Sequence, residues 1–362
     1  MIHMLSKFKN KKVIITGHTG FKGSWLSIWL TYLGAKVVGV SNEIVTTPSN
    51  FKINKIRNKI NHNFMDIRDV NKLTKLIIKN KPDYIFHLAA QSLVKKSYIN
   101  SKFTFETNAF GTLNLLEALR AYNPKKKCSV VLVTSDKSYR NLELKRGYRE
   151  NDILGGYDPY SASKACAELI IQCYLKSFLN NNKYLKISVA RAGNVIGGGD
   201  WSKDRLIPDC VKSIIQKKKL ALRFPNSTRP WQHVLEPLSG YLTLAESIYK
   251  KNKIVDRVEP NWNFGPNISN CKTVKYIADF ISRRENIKLK IVKVKSKIFK
   301  PETNLLRLSN VKSKKYLHWF PKWSLDKTLI KILEWNSLIK KKKARIVCEQ
   351  QIREYFKTKN YE

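Results

Sequence analysis

The sequence predicts an α/β fold, a doubly wound parallel sheet followed by a smaller mixed α/β lobe, on three observations. Short apolar, β-branched runs alternate with segments of helical period through roughly the first 190 residues, the pattern of parallel strands covered on both faces. The first run leads directly into a loop with glycines at 17, 20 and 23 and then into a helix. Beyond about residue 192 the alternation gives way to Gly- and Pro-punctuated stretches containing several Trp.

Taken in order, Lys12 to Thr16 (KVIIT) reads as a buried strand. A helix over Ser24–Leu33 ends at Gly34, where a helix C-cap glycine belongs. Strands follow at Lys36–Val40, Asn63–Met65, Tyr84–Leu88, Val130–Thr134 and Leu185–Ala190, with helices expected at 69–80, 105–121 and 159–179. Residues 1–191 would form the first domain, with a segment near 229–265 returning to it. Residues 192–362 would mainly form the second lobe, ending in a basic tail that reads from Lys340 as a solvated helix.

Composition narrows the function classes. A chain of 362 residues that is 43% hydrophobic can bury a sizeable core and is not globally disordered. The six Cys are scattered with no C-x-x-C pair, which excludes a disulfide framework or zinc site and fits a reducing, cytoplasmic setting. No apolar run is long enough to span a membrane, and Met1 to Lys12 lacks the apolar core of a signal peptide. The formal charge of +42 invites a nucleic-acid reading, but 53 of the 69 basic residues are Lys and their runs, such as Lys125–Lys127, carry no interleaved aromatics. Neither nucleic acid nor membrane is expected as a partner, although a field of this sign would help recruit an anionic substrate.

The loop Gly17-His-Thr19-Gly20-Phe21-Lys22-Gly23 sits between the first strand and its helix. In that setting small residues let the backbone approach a pyrophosphate, and the helix N-terminus offers free N–H groups and a positive dipole end. A dinucleotide, NAD or NADP, is the expected ligand. An acidic residue usually ends the second strand to hold the ribose; here Ser41-Asn42 stand there with Glu43 slightly late, leaving that choice open. Asp66-Ile67 could meet the adenine, or Asp66 could be a helix N-cap.

Tyr160 and Lys164 are an i, i+4 pair after Pro159 and share one helical face. The ammonium is expected to lower the phenol's pKa and make it a usable base, and to hold a nicotinamide ribose. Pyrophosphate recognition favours Arg, which nominates Arg205 and Arg229. His233 reads as a packed structural histidine, and Trp201 and Trp231 as core or wall.

With His87-Leu88-Ala89-Ala90, Asn108-x-x-Gly111-Thr112 and Arg191-x-x-Asn194-Val195-x-Gly197, these motifs resemble the extended short-chain dehydrogenase/reductase superfamily from Lys12 to about Trp335. Thr134-Ser135-Asp136-Lys137 at the end of the fifth strand narrows the resemblance to its nucleotide-sugar 4,6-dehydratases, in the version associated with CDP-glucose. GHTGFKGSW, GGYDPYSASK, AGNVIGGGDW, RPWQHVLEPLSG and WNFGP match the same group. The resemblance implies a Rossmann-like NAD-binding domain and a nucleotide-sugar-binding lobe. The implied reaction is C4 oxidation, loss of water across C5 and C6 and hydride return to C6, on the way to a deoxysugar. By the same resemblance Tyr160 takes the 4-hydroxyl proton, Lys137 the C5 proton, and Asp136 protonates the leaving 6-hydroxyl. Asp136 must then hold a proton, as burial would favour. Ser135 would polarise the 4-oxygen, Leu88, Ala89, Ala90 and Asn108 would line the cofactor, Asn194 would meet the phosphates, and Gln91 and Ser92 would lie near the hexose. The helices over 105–121 and 159–179 would pair in a homodimer through Leu113, Leu116, Ala118, Ala165, Leu169 and Cys173. Another nucleotide-sugar dehydratase or a 4-epimerase remains as the alternative.

Overall fold

A computed structural model describes residues 7–179, 182–222, 224–250, 255–286, 288–291 and 304–359; the start of the Met1–Lys12 stretch lies outside them. Seven parallel strands form the central sheet: β1 (Lys12–Thr16), β2 (Lys36–Ser41), β3 (Asn61–Phe64), β4 (Tyr84–His87), β5 (Cys128–Val133), β6 (Leu185–Ala192) and β7 (Asn261–Phe264). Their order is β7-β6-β5-β4-β1-β2-β3. The order reverses between β1 and β4, the place where open α/β sheets hold ligands at their strand C-termini.

Alternation along the strands sorts the core. Ile14, Ile85, Val130 and Leu132 face Leu73, Ile77, Leu115, Leu119 and Ile171. Val13, Ile15, Phe86, Val131 and Val133 face the opposite layer, with Trp25, Trp29, Leu238 and Tyr241. Strands β1, β4 and β5 are therefore buried on both sides, as their unbroken apolar runs require, whereas the edge strand β3 (NHNF) stays largely exposed. The helices that cover the sheet include α1 (Phe21–Tyr32), α2 (Val70–Asn80), α3 (Gly111–Tyr122), α4 (Pro159–Tyr174) and, in the second half, α6 (Leu235–Tyr249), whereas α5 (Leu206–Gln216) packs in a separate core.

Several boundaries differ from expectation for local reasons. Helix α1 starts at Phe21, not Ser24, because extended Gly20 caps it and accepts the Ser24 N–H at 2.8 Å. The helix leading into α3 begins at Ser101, capped by Asn100, and passes through a wider π-turn at Glu106–Phe110. Strand β7 pairs in parallel with β6 from within a Gly/Pro-rich stretch. A second, smaller core forms from Ile207, Cys210, Ile277, Ile281, Leu329 and Ile332.

The expectation of a solvated tail is overturned. Helix α7 (Ala344–Lys357) buries Val347, Cys348, Ile352 and Tyr355 against the first-domain layer, and the Trp29 ring meets Tyr355 and Phe356 edge-on. Its apolar residues recur at helical spacing, a stripe obscured by the surrounding Lys, Arg and Glu. The six cysteines are free thiols. Among the described residues no helix is long and apolar enough to cross a membrane.

Candidate active site

The glycine loop packs as a backbone-on-backbone contact. A Cβ on Gly17, which has φ +76°, would stand 2.6 Å from the Ala89 nitrogen, and one on Gly23 would stand 2.1 Å from the Gly17 carbonyl oxygen. Both sites exclude any side chain. At Gly20 a Cβ would meet the Gly17 carbonyl oxygen at 3.4 Å, an ordinary contact. No side-chain hydrogen bond caps α1. A cradle only a glycine backbone can form, beside an uncapped helix N-terminus, fits a dinucleotide pyrophosphate. Phe21 packs into the core behind the loop, and Thr19 donates its hydroxyl to the Glu43 carbonyl at 2.6 Å. Leu88 and Ala89 form the opposite wall, with the Leu88 N–H on the Thr16 carbonyl at 3.0 Å and Ala90 following.

Where an acidic residue commonly ends β2, Ser41 accepts the Thr19 N–H at 3.3 Å and bonds His18 Nδ1 at 3.1 Å. The His18 and His62 rings meet nitrogen to nitrogen at 2.7 Å. Burial pushes His18 down to about 4. Sequence reasoning missed this pair, since two residues 44 apart carry no shared spacing signal. Asp66 is held by Arg68, at 3.1 and 2.8 Å, and by Asn42 at 3.1 Å. Burial opposes ionisation there, yet these bonds keep its carboxyl below the usual range. Asp66 is not the cap of α2; that is Asp69, which accepts the Lys72 N–H at 3.0 Å. The Ile67 side chain is buried in the core.

Beyond the end of β5, Ser135–Asp136–Lys137 enter a 3₁₀ turn over Asp136–Ser138. The Ser135 hydroxyl donates to Asp136 Oδ1 at 3.0 Å and accepts the Lys137 N–H at 3.2 Å. Asp136 is 3% exposed, and its Oδ2 has no hydrogen-bond partner. Burial pushes its carboxyl up against the opposing pull of Lys137, Ser135, Arg229 and Lys22.

Helix α4 opens on Pro159, capped by Asp158, which accepts the Ser161 N–H at 3.0 Å. It carries Tyr160 and Lys164 into the same buried site. The expected depression of Tyr160 is not found: burial pushes the phenol up to about 12, outweighing its hydrogen bond with Ser135. Burial likewise pulls Lys164 down to about 8, with Glu168 opposing. Lys22 turns inward from the glycine loop and is brought to about 8 by burial first, then by Lys164 and Arg205. Arg205 bonds Asp200 Oδ2 at 3.1 Å and Ser92 Oγ at 3.3 Å, while buried Arg229 acts on Asp136. Lys22, Lys137, Lys164, Arg205 and Arg229 thus gather around one carboxylic acid, a charge pattern suited to a diphosphate.

Two predicted contacts turn inward instead. Gln91 donates to Leu93 O and Thr104 Oγ1 and accepts the Leu93 N–H at 2.7 Å, so its amide is spent on its own loop. Buried Asn108 clamps that loop, bonding Gln91 N at 2.8 Å, Gln91 O at 3.0 Å and Ser163 Oγ at 2.9 Å. Asn194 stays partly exposed beside the site, its carbonyl accepting Gln232 N–H at 3.1 Å. His233 is buried with Trp25 and Trp323 at 6.0 and 4.7 Å, and Trp231 donates to Lys272 O at 2.9 Å. Both are packing residues. Trp201 meets Trp335 at 5.7 Å.

Residues 14–332 match the family model described as GDP-mannose 4,6 dehydratase. The chain belongs to this dehydratase family. A family relative, the CDP-glucose 4,6-dehydratase of Salmonella typhimurium, is 42% identical over 348 residues, 95% of each chain. The dTDP-D-glucose 4,6-dehydratase of Dictyostelium discoideum is 30% identical over 74% of this chain and 61% of its own. The fold is also that of a dTDP-glucose 4,6-dehydratase from Streptomyces venezuelae, with a TM-score of 0.76 and 21% identity over 90% of this chain and 97% of that one.

Proposed function

We propose that the chain is an NAD-dependent CDP-glucose 4,6-dehydratase, a lyase that converts CDP-D-glucose to CDP-4-keto-6-deoxy-D-glucose and water. The observation that carries this reading is a buried Asp136, one carboxyl oxygen without a partner, beside Lys137 and in one site with Tyr160 and Lys164. The 42% identity to a CDP-glucose 4,6-dehydratase supports the nucleotide choice. A 4-epimerase has no use for the Asp136–Lys137 pair.

NAD⁺, when bound, would supply the acceptor for the C4 hydride and the source of the hydride at C6. Gly17, Gly20, Gly23 and the first turn of α1 receive its pyrophosphate, and Lys164 orients the nicotinamide ribose. Tyr160 Oη takes the proton of the 4-hydroxyl, with Ser135 Oγ hydrogen-bonded to the 4-oxygen. The resulting ketone acidifies C5–H. Lys137 Nζ removes that proton while Asp136 gives its own to the departing 6-hydroxyl, water leaves, and C5 is reprotonated as the hydride returns to C6. Arg205, Arg229 and Asn194 bind the substrate diphosphate. The product suits deoxysugar biosynthesis for a lipopolysaccharide O-antigen, in the cytoplasm. The enzyme works as a homodimer through α3 and α4, a reading supported by Phe110 and Leu169, 56% and 55% exposed. Leu116, Ala118 and Ala165 are buried in the chain's own fold and do not belong to that face.

The test is incubation with CDP-glucose, dTDP-glucose, UDP-glucose or GDP-mannose and catalytic NAD⁺, following loss of water by mass. Turnover of CDP-glucose alone is expected. A folded, NAD⁺-binding protein that releases no water from CDP-glucose rejects the reading.

A further inference from the structure

Behind the acid–base turn lies an ion pair that no step above uses. Glu168 on α4 and Arg191 on β6 have side chains 0% exposed. They join in a two-point fork, Nε to Oε1 and Nη2 to Oε2, both at 2.7 Å. The pair's remaining bonds reach the residues flanking the turn. Thr134, just before Ser135, donates its hydroxyl to Glu168 Oε1 at 2.5 Å. Ser138, just after Lys137, donates to the same oxygen at 3.3 Å. Arg191 Nη1 donates to the Tyr139 hydroxyl at 2.6 Å and to the Glu150 carbonyl at 2.9 Å. Tyr139 is braced in turn by Asn263 Oδ1 at 2.8 Å.

The chain is therefore pinned on both sides of Ser135–Asp136–Lys137 to one pair. A forked Arg–carboxylate contact fixes orientation as well as distance. Tyr160 and Lys164 need no such support, since the backbone of α4 holds them. Asp136 and Lys137 lie instead on a three-residue turn, whose place relative to α4 is set by what tethers it. Glu168 supplies that tether from α4 itself, one helical turn beyond Lys164.

We infer that Glu168 and Arg191 are positioning residues that set the acid–base turn against Tyr160, so that elimination of water, which needs both Asp136 and Lys137, depends on them more steeply than oxidation at C4, to which the turn contributes Ser135 alone. This rests on the dehydratase reading. The test uses the full chain with NAD⁺ and CDP-glucose in a single turnover. Oxidation is read as absorbance of reduced nicotinamide, and elimination as loss of water by mass. Thr134→Val removes one tether without uncovering a charge. It is expected to slow water loss about tenfold to a hundredfold, as small misplacements of catalytic groups do, while oxidation slows by less than threefold and reduced cofactor accumulates. Thr134→Ser should restore water loss. A parallel fall in both rates, no change in either, or failure of the serine to rescue overturns the positioning role. A wild-type enzyme that releases no water from CDP-glucose instead rejects the dehydratase reading and this inference with it, a result separable from wild-type turnover with unaltered partitioning in the variant.

Discussion

Two buried carboxyl groups flank the end of β5 and differ in their partners. Glu168 has both oxygens bonded by Arg191, and one of them accepts two hydroxyls besides. Asp136 has one oxygen on Ser135 and the other bonded to nothing. An unsatisfied buried polar group is costly and is rarely tolerated without a use. The contrast separates two tasks for one functional group: the saturated carboxylate holds the chain, and the unsaturated acid keeps an oxygen for substrate.

Opposite responses to nearly the same substitution would sharpen this comparison. Asp136→Asn should cut the rate of water loss by about 10²- to 10⁴-fold, the usual contribution of a general acid, and leave the folded protein at least as stable at neutral pH. Glu168→Gln, changing just as few atoms, should destabilise by about 3–5 kcal/mol because it leaves Arg191 charged, buried and unpaired. Urea titrations and mass-detected turnover on the two variants measure both effects. A Glu168→Gln protein as stable as the wild type would break the comparison.

Acidity gives a second handle. Asp136's folded pKa is raised above its ordinary 3.8, so the native state keeps a proton that the unfolded chain has already released. Stability from this group must therefore fall as pH rises from about 3.8 through the raised value. Asp136→Asn should abolish that slope, seen as urea midpoints that diverge from wild type with rising pH. Elimination should decline over the same limb as the acid loses its proton. At the small end, Ser138→Ala removes the 2.6 Å bond to the Ser135 carbonyl together with the 3.3 Å contact to Glu168 and should cost about 1 kcal/mol, checked by thermal unfolding.

Much of this organisation was legible in the sequence, for reasons that differ by residue. Strand β1 declared itself because a run buried on both faces must be continuously apolar. The cradle declared itself because only glycine tolerates the approach of Ala89 to position 17. Strand β7 was harder to place, since Trp262–Phe264 is only a few residues long and gains its identity from pairing with β6. Gln91 misled because position in the chain shows which loop a residue joins, not which way its amide turns. Tyr160 misled differently: helical spacing places Lys164 on its face, but the depth of burial that raises the phenol is a tertiary property. Glu168 and Arg191 both stood in view, four residues after Lys164 and at the head of Arg191-x-x-Asn194, but only the sheet brings β6 under α4.

The packing of α7 against α1 has a consequence for how the polypeptide matures. Trp29 lies under Tyr355 and Phe356, residues more than three hundred positions later in translation order. A nascent chain emerges from the ribosome over tens of seconds at about 5–20 residues per second. For most of that interval the tryptophan layer on α1 has no cover from α7. The glycine cradle at the start of that same helix is therefore made early and supported late, and a ribosome that stalls near Lys340 would release a chain whose dinucleotide-binding half lacks its outer wall.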